Sequence, residues 1–381
     1  MITAKRLDTV QEYYFSKKLR EVADLRAKGK PIINLGIGSP DLAPPPAVIE
    51  ALNKALEENA AHQYQPYKGI TELRNAIAGF YKKFYDLKLD PDTEILPLMG
   101  SKEGIMHISM TFLNPGDEVL LPNPGYPTYS SVSKLLDAKE RNYELKAESD
   151  WLPDLDKLAK EDLSKVKIMW VNYPHMPTGS VAPDSFFEKL TNFAEKHKIL
   201  VVNDNPYSFI QNDHPRSILR KAGLSDYVME LNSLSKSFNM AGWRVGILAG
   251  SQKNINAVLK VKSNMDSGMF YPVQAGAVEA LKLSDSWFVE INKIYKARKK
   301  KAMELISALD CEVSDDQVGL FVWARTPKGK TSSDIVDDLL YNKDIFIAPG
   351  FIFGSQGEGY IRFSLCATED VMDKALKRIK E

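Results

Sequence analysis

Short apolar runs, each closing on small or polar residues and each followed by a helix-length stretch, recur through the middle of the chain. Glu94–Met99, Glu118–Leu121, Lys167–Val171, Ile199–Asn203, Tyr227–Leu231 and Val245–Ala249 read as buried strands. Between and before them lie stretches with apolar residues at helical spacing. One opens at Pro46 with Val48, Ile49, Leu52 and Leu56, and one follows Gly69 with Leu73, Ile77 and Phe80. Another follows Gly100 with Ile105, Ile108, Met110 and Phe112, and a fourth covers Asp184–His197. Strands that alternate with helices require crossover connections, so a mostly parallel sheet covered by helices on both faces is expected.

The texture changes after about residue 280. A long charged helix over Ser284–Leu309 leads to an apolar run at Gly319–Ala324. A helix near Ser332–Leu340, strands near Ile345–Ala348 and Tyr360–Leu365, and a terminal helix complete the chain. The fold class expected is α/β: a large domain at residues 46–283, plus a smaller α+β domain formed by residues 1–45 and 284–381. With 381 residues, two units agree with roughly 100–200 residues per domain.

Composition excludes several function classes. Fifty Lys+Arg balance fifty Asp+Glu, so the basic excess of a nucleic-acid or membrane-surface binder is missing. No run approaches the length of a membrane span. The first residues lack the apolar stretch of a secretory signal, and two cysteines, Cys311 and Cys366, fit a reducing compartment, so a cytoplasmic location is expected. Five scattered histidines give no ligand spacing, and no metal site is expected. The cluster Arg298-Lys299-Lys300-Lys301 reads as a solvated helix face.

Chemistry concentrates where the apolar runs end. After the run at 227–231 come Ser233, Ser235 and Lys236, and Arg244 follows eight positions after the lysine. A lysine desolvated at a strand end loses part of its reason to stay charged and becomes a usable nucleophile. Two hydroxyls and a forked cation around it suit a phosphate monoester. The strand Ile199–Asn203 delivers Asp204 and, three residues on, Tyr207. Carboxyl ends of strands face the ligand crevice in open α/β sheets. There an aspartate can pair with a protonated heteroaromatic nitrogen and a tyrosine can donate to an oxygen on the same ring. Asp204 reads equally as a helix N-cap. Gly100-Ser101-Lys102 turns from strand to helix, and the unsatisfied first N–H groups of that helix, with the Ser101 hydroxyl, form an anion seat.

These segments resemble the signatures of the class I/II aminotransferases, fold-type-I enzymes dependent on pyridoxal 5'-phosphate. The likeness lies in Ser233-x-Ser235-Lys236 followed by Asn239-Met240-Ala241-Gly242-Trp243-Arg244. It extends to Asn34-Leu35-Gly36-Ile37-Gly38-Ser39-Pro40-Asp41, to Tyr64-Gln65-Pro66-Tyr67-Lys68-Gly69 with Leu73-Arg74, to Pro124-Gly125-Tyr126-Pro127-Thr128-Tyr129, and to Asn172-Tyr173-Pro174-His175-Met176-Pro177-Thr178-Gly179. The resemblance implies a Schiff base between Lys236 and the cofactor and transfer of an amino group from an L-amino acid to a 2-oxo acid. It implies that Asp204 holds the pyridine nitrogen protonated, Tyr207 meets the ring's phenolic oxygen, Tyr126 stacks on the ring, and Asn172 belongs to the cofactor pocket. Ser101, the Lys102 backbone, Ser233, Ser235 and Arg244 would seat the phosphate. Tyr64 would reach the partner's phosphate across a homodimer interface. Arg362, on the strand Tyr360–Leu365, would grip the substrate carboxylate with help from Gly38, and Tyr13 would either line the pocket or pack in the core.

The chain departs from the family at Met176, where an asparagine is usual. A thioether cannot donate a hydrogen bond, so a weaker carboxylate grip and a raised pKa of the lysine–cofactor imine are expected, with His175 or water as compensating donors. A β/γ-lyase acting on carbon–sulfur bonds is the alternative on the same fold. A non-catalytic regulator with a fused DNA-binding domain lacks room in the chain. A nicotinamide dehydrogenase lacks the third glycine after Gly36 and Gly38. The segment Lys262–Phe270 resembles that of alanine- and LL-diaminopimelate-type aminotransferases, and no arginine stands between Arg244 and Arg298 to hold a distal carboxylate. Asp266 either meets a cationic substrate end or caps a helix at the surface.

Overall fold

The computed structural model describes residues 3–381. In chain order the strands are β1 (Ile33–Asn34), β2 (Ile95–Leu98), β3 (Glu118–Asn123), β4 (Lys139–Glu144), β5 (Val166–Val171), β6 (Leu200–Asp204) and β7 (Val228–Ser233). They continue with β8 (Gly246–Gly250), β9 (Glu312–Val313), β10 (Phe321–Arg325), β11 (Ile345–Phe346), β12 (Ala348–Pro349) and β13 (Tyr360–Ser364). Seven of them form one sheet in the order β2-β8-β7-β6-β5-β3-β4. Pairing is parallel from β4 through β3, β5 and β6 to β7. It is antiparallel where β8 meets β7 and β2.

Strands such as β2 and β6 are buried along their whole length, as a sheet covered on both faces requires. One apolar cluster, with Ile105, Trp170, Val202 and Leu231, fills one face; another, with Leu73, Phe80, Phe187 and Phe209, fills the other. The pairing directions decide where function sits. Because β8 runs against both neighbours, β2, β3, β5, β6 and β7 all end on one edge of the sheet, and β8 begins there. That edge therefore receives Ser101, Tyr126, Asn172, Asp204, Lys236 and, entering β8, Arg244.

A second sheet, β12-β13-β10-β9, is antiparallel. The short strand at residues 33–34 pairs in parallel with β11. These elements share an apolar cluster that includes Phe15, Leu35, Val322, Phe346 and Phe363. The helix Asp285–Ala308 packs on the terminal helix Glu369–Lys380.

Two sequence expectations change. The run near Ile345–Ala348 is two strands, because β11 pairs with β1 while β12 pairs with β13. Strand β13 lies inside its sheet, and Arg362 on it is only 4% exposed. Arg298 is not on a solvated face. It is buried, it pairs with Asp41, and it shares one helical stripe with Ile291, Tyr295, Ala302 and Leu305. The charged edge strand β4 and the helix Tyr271–Leu281 were not expected from the sequence. Among the described residues, no helix is long and apolar enough to cross a membrane.

Candidate active site

A cavity of about 600 Å³ opens at the edge where the parallel strands end, and Ser101, Lys102, Tyr126, Asn172, Asp204, Tyr207, Ser233, Ser235, Lys236 and Arg244 line it. Gly38, Arg362 and Tyr13 line it too. Of the residues singled out in the sequence, Tyr64 lies outside the cavity and is 89% exposed.

One end is built for an anion. Gly100 takes φ +93°, and a Cβ there would come within 2.2 Å of the Arg244 guanidinium, so only glycine admits this approach. The helix Ser101–Phe112 starts at once and turns its first N–H groups toward this end. The Ser233 hydroxyl donates to the Ser235 oxygen at 2.9 Å, and Arg244 Nη1 reaches the same Ser235 oxygen at 3.4 Å and donates to the Ala241 carbonyl at 2.9 Å. Two hydroxyls, helix N–H groups and a guanidinium converge within one strand-end cluster.

The middle holds the reactive pair. Lys236 Nζ donates to the Gly38 carbonyl at 2.5 Å. Burial pushes its pKa down to about 8, and the Arg362 and Arg244 charges push the same way. Asp204 is 4% exposed, and burial raises its carboxyl to about 7 against the lowering effect of one hydrogen bond, from Tyr129 Oη to Oδ2 at 2.8 Å. Its other oxygen, Oδ1, has no partner among the described residues. Tyr129 stacks on Trp170 with ring centroids 4.9 Å apart, which fixes its hydroxyl. Sequence reasoning placed Tyr129 in a signature segment but gave it no role. The signal was present, since it stands three residues after Tyr126 on the helix Pro127–Leu135 and so shares a face with the cofactor-side tyrosine. Asn172 spends both ends of its amide on the backbone, donating to the Asp204 carbonyl and accepting from Met176 N–H at 2.8 Å.

The far end is a guanidinium in an aromatic box. Arg362 lies 3.8 Å from the Phe321 ring centroid, 4.6 Å from that of Phe353 and 5.5 Å from that of Phe15. It donates to the Gly36 carbonyl at 3.0 Å and to the Met176 sulfur at 3.2 Å, while its Nε has no partner. Burial lowers its pKa to about 10. Phe15, Phe321 and Phe353 were not singled out in the sequence, because nothing local marks three distant aromatics as neighbours. His175 does not line the cavity. It is buried, its Nδ1 lies 2.8 Å from the Thr178 hydroxyl, and burial drops its pKa to about 3. It therefore does not supply the hydrogen bond that Met176 lacks.

Asp266 is neither a surface cap nor a cavity residue. Its carboxylate lies 2.9 Å from the buried Lys262 amine and accepts the Gly268 N–H. Its ligand atoms come within 4.8 Å of those of Glu103 and His107, a grouping that the spacing of the histidines had not suggested. Lys262 already supplies a cation to that group.

The donor set matches pyridoxal phosphate: an anion seat, an amine of lowered pKa, a buried carboxyl with a free oxygen, and aromatic walls. A family model described as aminotransferase class I and II matches residues 30–379. The chain belongs to the class I and II aminotransferases. It is a pyridoxal-phosphate-dependent aminotransferase of the α/β fold-type-I architecture. It is 42% identical over 379 residues to the LL-diaminopimelate aminotransferase of Oleidesulfovibrio alaskensis, covering 99% of this chain and 98% of that one. It is 38% identical to the enzyme of the same name from Aquifex aeolicus, covering 98% and 97%. Substrate-bound BacF from Bacillus subtilis superimposes with a TM-score of 0.94 at 34% identity, covering 100% and 97%. These likenesses lend the lyase alternative no support.

Proposed function

We propose that this aminotransferase takes the amino group of an L-amino acid, with LL-diaminopimelate as the first candidate, and delivers it to a 2-oxo acid. One observation carries the reading: a single cavity holds a lysine amine near pKa 8, a carboxyl with a free oxygen and a buried guanidinium without an anionic partner among the described residues. Bound pyridoxal phosphate supplies an electron sink for the pair left when the substrate Cα–H bond breaks. Ser101, the Lys102 backbone, Ser233, Ser235 and Arg244 seat the phosphate. Asp204, oriented by Tyr129, would hold the ring-nitrogen proton, Tyr207 would donate to the ring's phenolic oxygen, and Tyr126 and Asn172 would wall the ring. Lys236 would be the attachment point; once the substrate amine displaces it, its free amine, with a pKa lowered by burial, would take the Cα proton and pass it on to the cofactor, not back to Cα. Arg362 grips the α-carboxylate through its fork, with the Gly38 backbone beside it.

The relatives' name and Lys102 favour LL-diaminopimelate: the Lys102 amine lies 5.0 Å from the Tyr13 ring centroid and gives the outer cavity a cation for a distal carboxylate. The apolar walls Tyr13, Phe15, Leu19 and Ile37 favour a second reading, an apolar or aromatic amino acid. A half-reaction screen separates the two. LL-diaminopimelate should convert the yellow protein to its pyridoxamine form faster than phenylalanine does, and the reverse order selects the second reading. Borohydride reduction and peptide mapping should place the cofactor on Lys236; an adduct elsewhere sinks the proposal.

We also infer a cytoplasmic homodimer of two-domain subunits, 46–283 and 1–45 with 284–381. Tyr64, Tyr67, Met265 and Phe270 are exposed, and a Cβ on Gly268 would lie 2.2 Å from the Gln65 carbonyl, so the two segments are adjacent and form one apolar patch. From such a patch Tyr64 would reach the phosphate of a second copy. Separate apolar clusters support the domain division, and free Cys311 and Cys366 support the compartment.

A further inference from the structure

We infer that Arg298 and Asp41 form a positioning pair for the carboxylate end of the cavity, holding the 36–41 strip in register with Arg362. This deepens the aminotransferase reading and rests on it for the nature of the ligand. Arg298, on the helix Asp285–Ala308, has a side chain only 4% exposed, and it donates to both carboxylate oxygens of Asp41 at 2.6 and 2.8 Å. Its Nη1 also donates to the Leu365 carbonyl at 3.1 Å. One guanidinium thus joins the end of the strip to the chain leaving β13, three residues beyond Arg362.

The strip has little freedom between these ties. The Asn34 side chain accepts from the Gly36 and Ile37 N–H groups at 3.0 and 3.3 Å. The Gly36 carbonyl accepts from Arg362 and the Gly38 carbonyl from Lys236. A Cβ on Gly36 would sit 2.7 Å from the Phe346 ring, and one on Gly38 2.1 Å from the Phe321 ring, which itself packs on Arg362. The backbone therefore lies flush on the aromatic box, and a small shift of the strip moves Arg362 with it. Neither Arg298 nor Asp41 lines the cavity, and neither touches the Ser101, Ser233, Ser235 or Arg244 cluster. Their action passes through Gly36, Gly38 and Arg362 to the carboxylate and not to the phosphate. A buried ion pair is weak evidence for stability, because desolvation offsets its attraction; its geometric effect is the larger consequence.

The test compares the holoenzyme with Arg298→Met, Arg298→Lys, Asp41→Asn and the Arg298→Met/Asp41→Asn double variant. Calorimetric titration with 4-methylpentanoate, an unreactive monocarboxylate, reads the carboxylate end. Reconstitution of the cofactor-free protein reads the phosphate end. Arg298→Met and Asp41→Asn should each weaken 4-methylpentanoate binding and raise the donor KM by ~10-fold, with kcat and cofactor affinity held within about threefold. The double variant should be no worse than the worse single, as coupled partners require, and Arg298→Lys should recover part of the loss. Unchanged 4-methylpentanoate binding, additive singles, or cofactor affinity falling in step with carboxylate affinity would each overturn the pair's role. If Arg298→Met fails to fold, Arg298→Lys and Asp41→Asn carry the same comparison. A wild-type protein that binds 4-methylpentanoate but transaminates nothing would defeat the functional reading and leave this test intact.

Discussion

The phosphate end and the carboxylate end of the cavity are built in opposite ways. At the phosphate end, Ser101, Ser233, Ser235 and Arg244 come from short segments at neighbouring strand ends, and Ser233, Ser235 and Arg244 bond to one another directly. At the carboxylate end, Arg362 depends on Phe15, Gly36, Met176, Phe321 and Phe353, residues scattered over most of the chain. The first end consists largely of backbone geometry that any suitable strand–turn–helix can reproduce. The second exists only when several remote pieces are packed together. A change at one end should therefore leave the other nearly untouched, whereas within the carboxylate end damage should spread.

The sharpest way to break that comparison is a pair of substitutions. Arg362→Lys keeps the charge but loses the fork, and it should lower kcat/KM by about 10²-fold or more while cofactor affinity stays near wild type. Arg244→Leu should do the reverse, weakening cofactor binding by about 10- to 100-fold with a smaller effect on the donor KM. Steady-state kinetics and cofactor titration check both. Equal damage to the two quantities in both variants would show one cooperative site instead of two ends.

Asp204, at the junction of the two ends, gives a pH test. Its folded pKa of about 7 is raised above the ordinary carboxyl value of 3.8, so folding favours its neutral form. That contribution is fully present below pH 3.8 and is lost as pH rises through about 7. In the cofactor-free protein, Asp204→Asn should remove the loss: at pH 8 it should be more stable than wild type by up to about 4 kcal/mol, and at pH 4 nearly equal to it. Thermal melts at the two pH values check the sign. A variant less stable than wild type at pH 8 would mean that the carboxylate is better paired than its free oxygen indicates.

The smallest effect is expected at Met176. The sulfur is a weak acceptor 3.2 Å from the Arg362 guanidinium. Met176→Asn should tighten monocarboxylate binding by about 2- to 10-fold through one added hydrogen bond and lower the pKa of the cofactor's visible absorption change. A spectrophotometric titration with no shift would leave the methionine as packing only.

The asymmetry between the ends also governed what could be read from the chain. Asp204, Tyr207, Ser101, Ser233 and Lys236 stand out because each follows an apolar run that ends in small or polar residues, and Arg244 because it opens the next such run, a local pattern set by strand burial and turn chemistry. Tyr129 was within reach through helical spacing from Tyr126. Arg298 was within reach too, since it falls on the Ile291, Tyr295, Ala302, Leu305 stripe; a basic cluster drew attention away from that periodicity. Its partner Asp41, 257 residues away, closes a segment that resembles the family, but nothing local to it points to Arg298. The burial that joins Asp266 to Lys262 carries no mark in the sequence, at a spacing that otherwise reads as a surface pair.

Amino-acid order alone determined the alternation of strands and helices, the turns that place side chains at strand ends, and hence the anion seat with its lysine and aspartate. Those follow from apolar periodicity and backbone hydrogen bonding, which act over a few residues. Only the folded chain decided that Arg362 sits inside an aromatic box, that Met176 faces it, that Asp204 keeps one oxygen free and that Arg298 ties the 36–41 strip to β13. Each of these depends on which distant segments exclude water together, and desolvation is a property of the packed assembly, not of any segment in it.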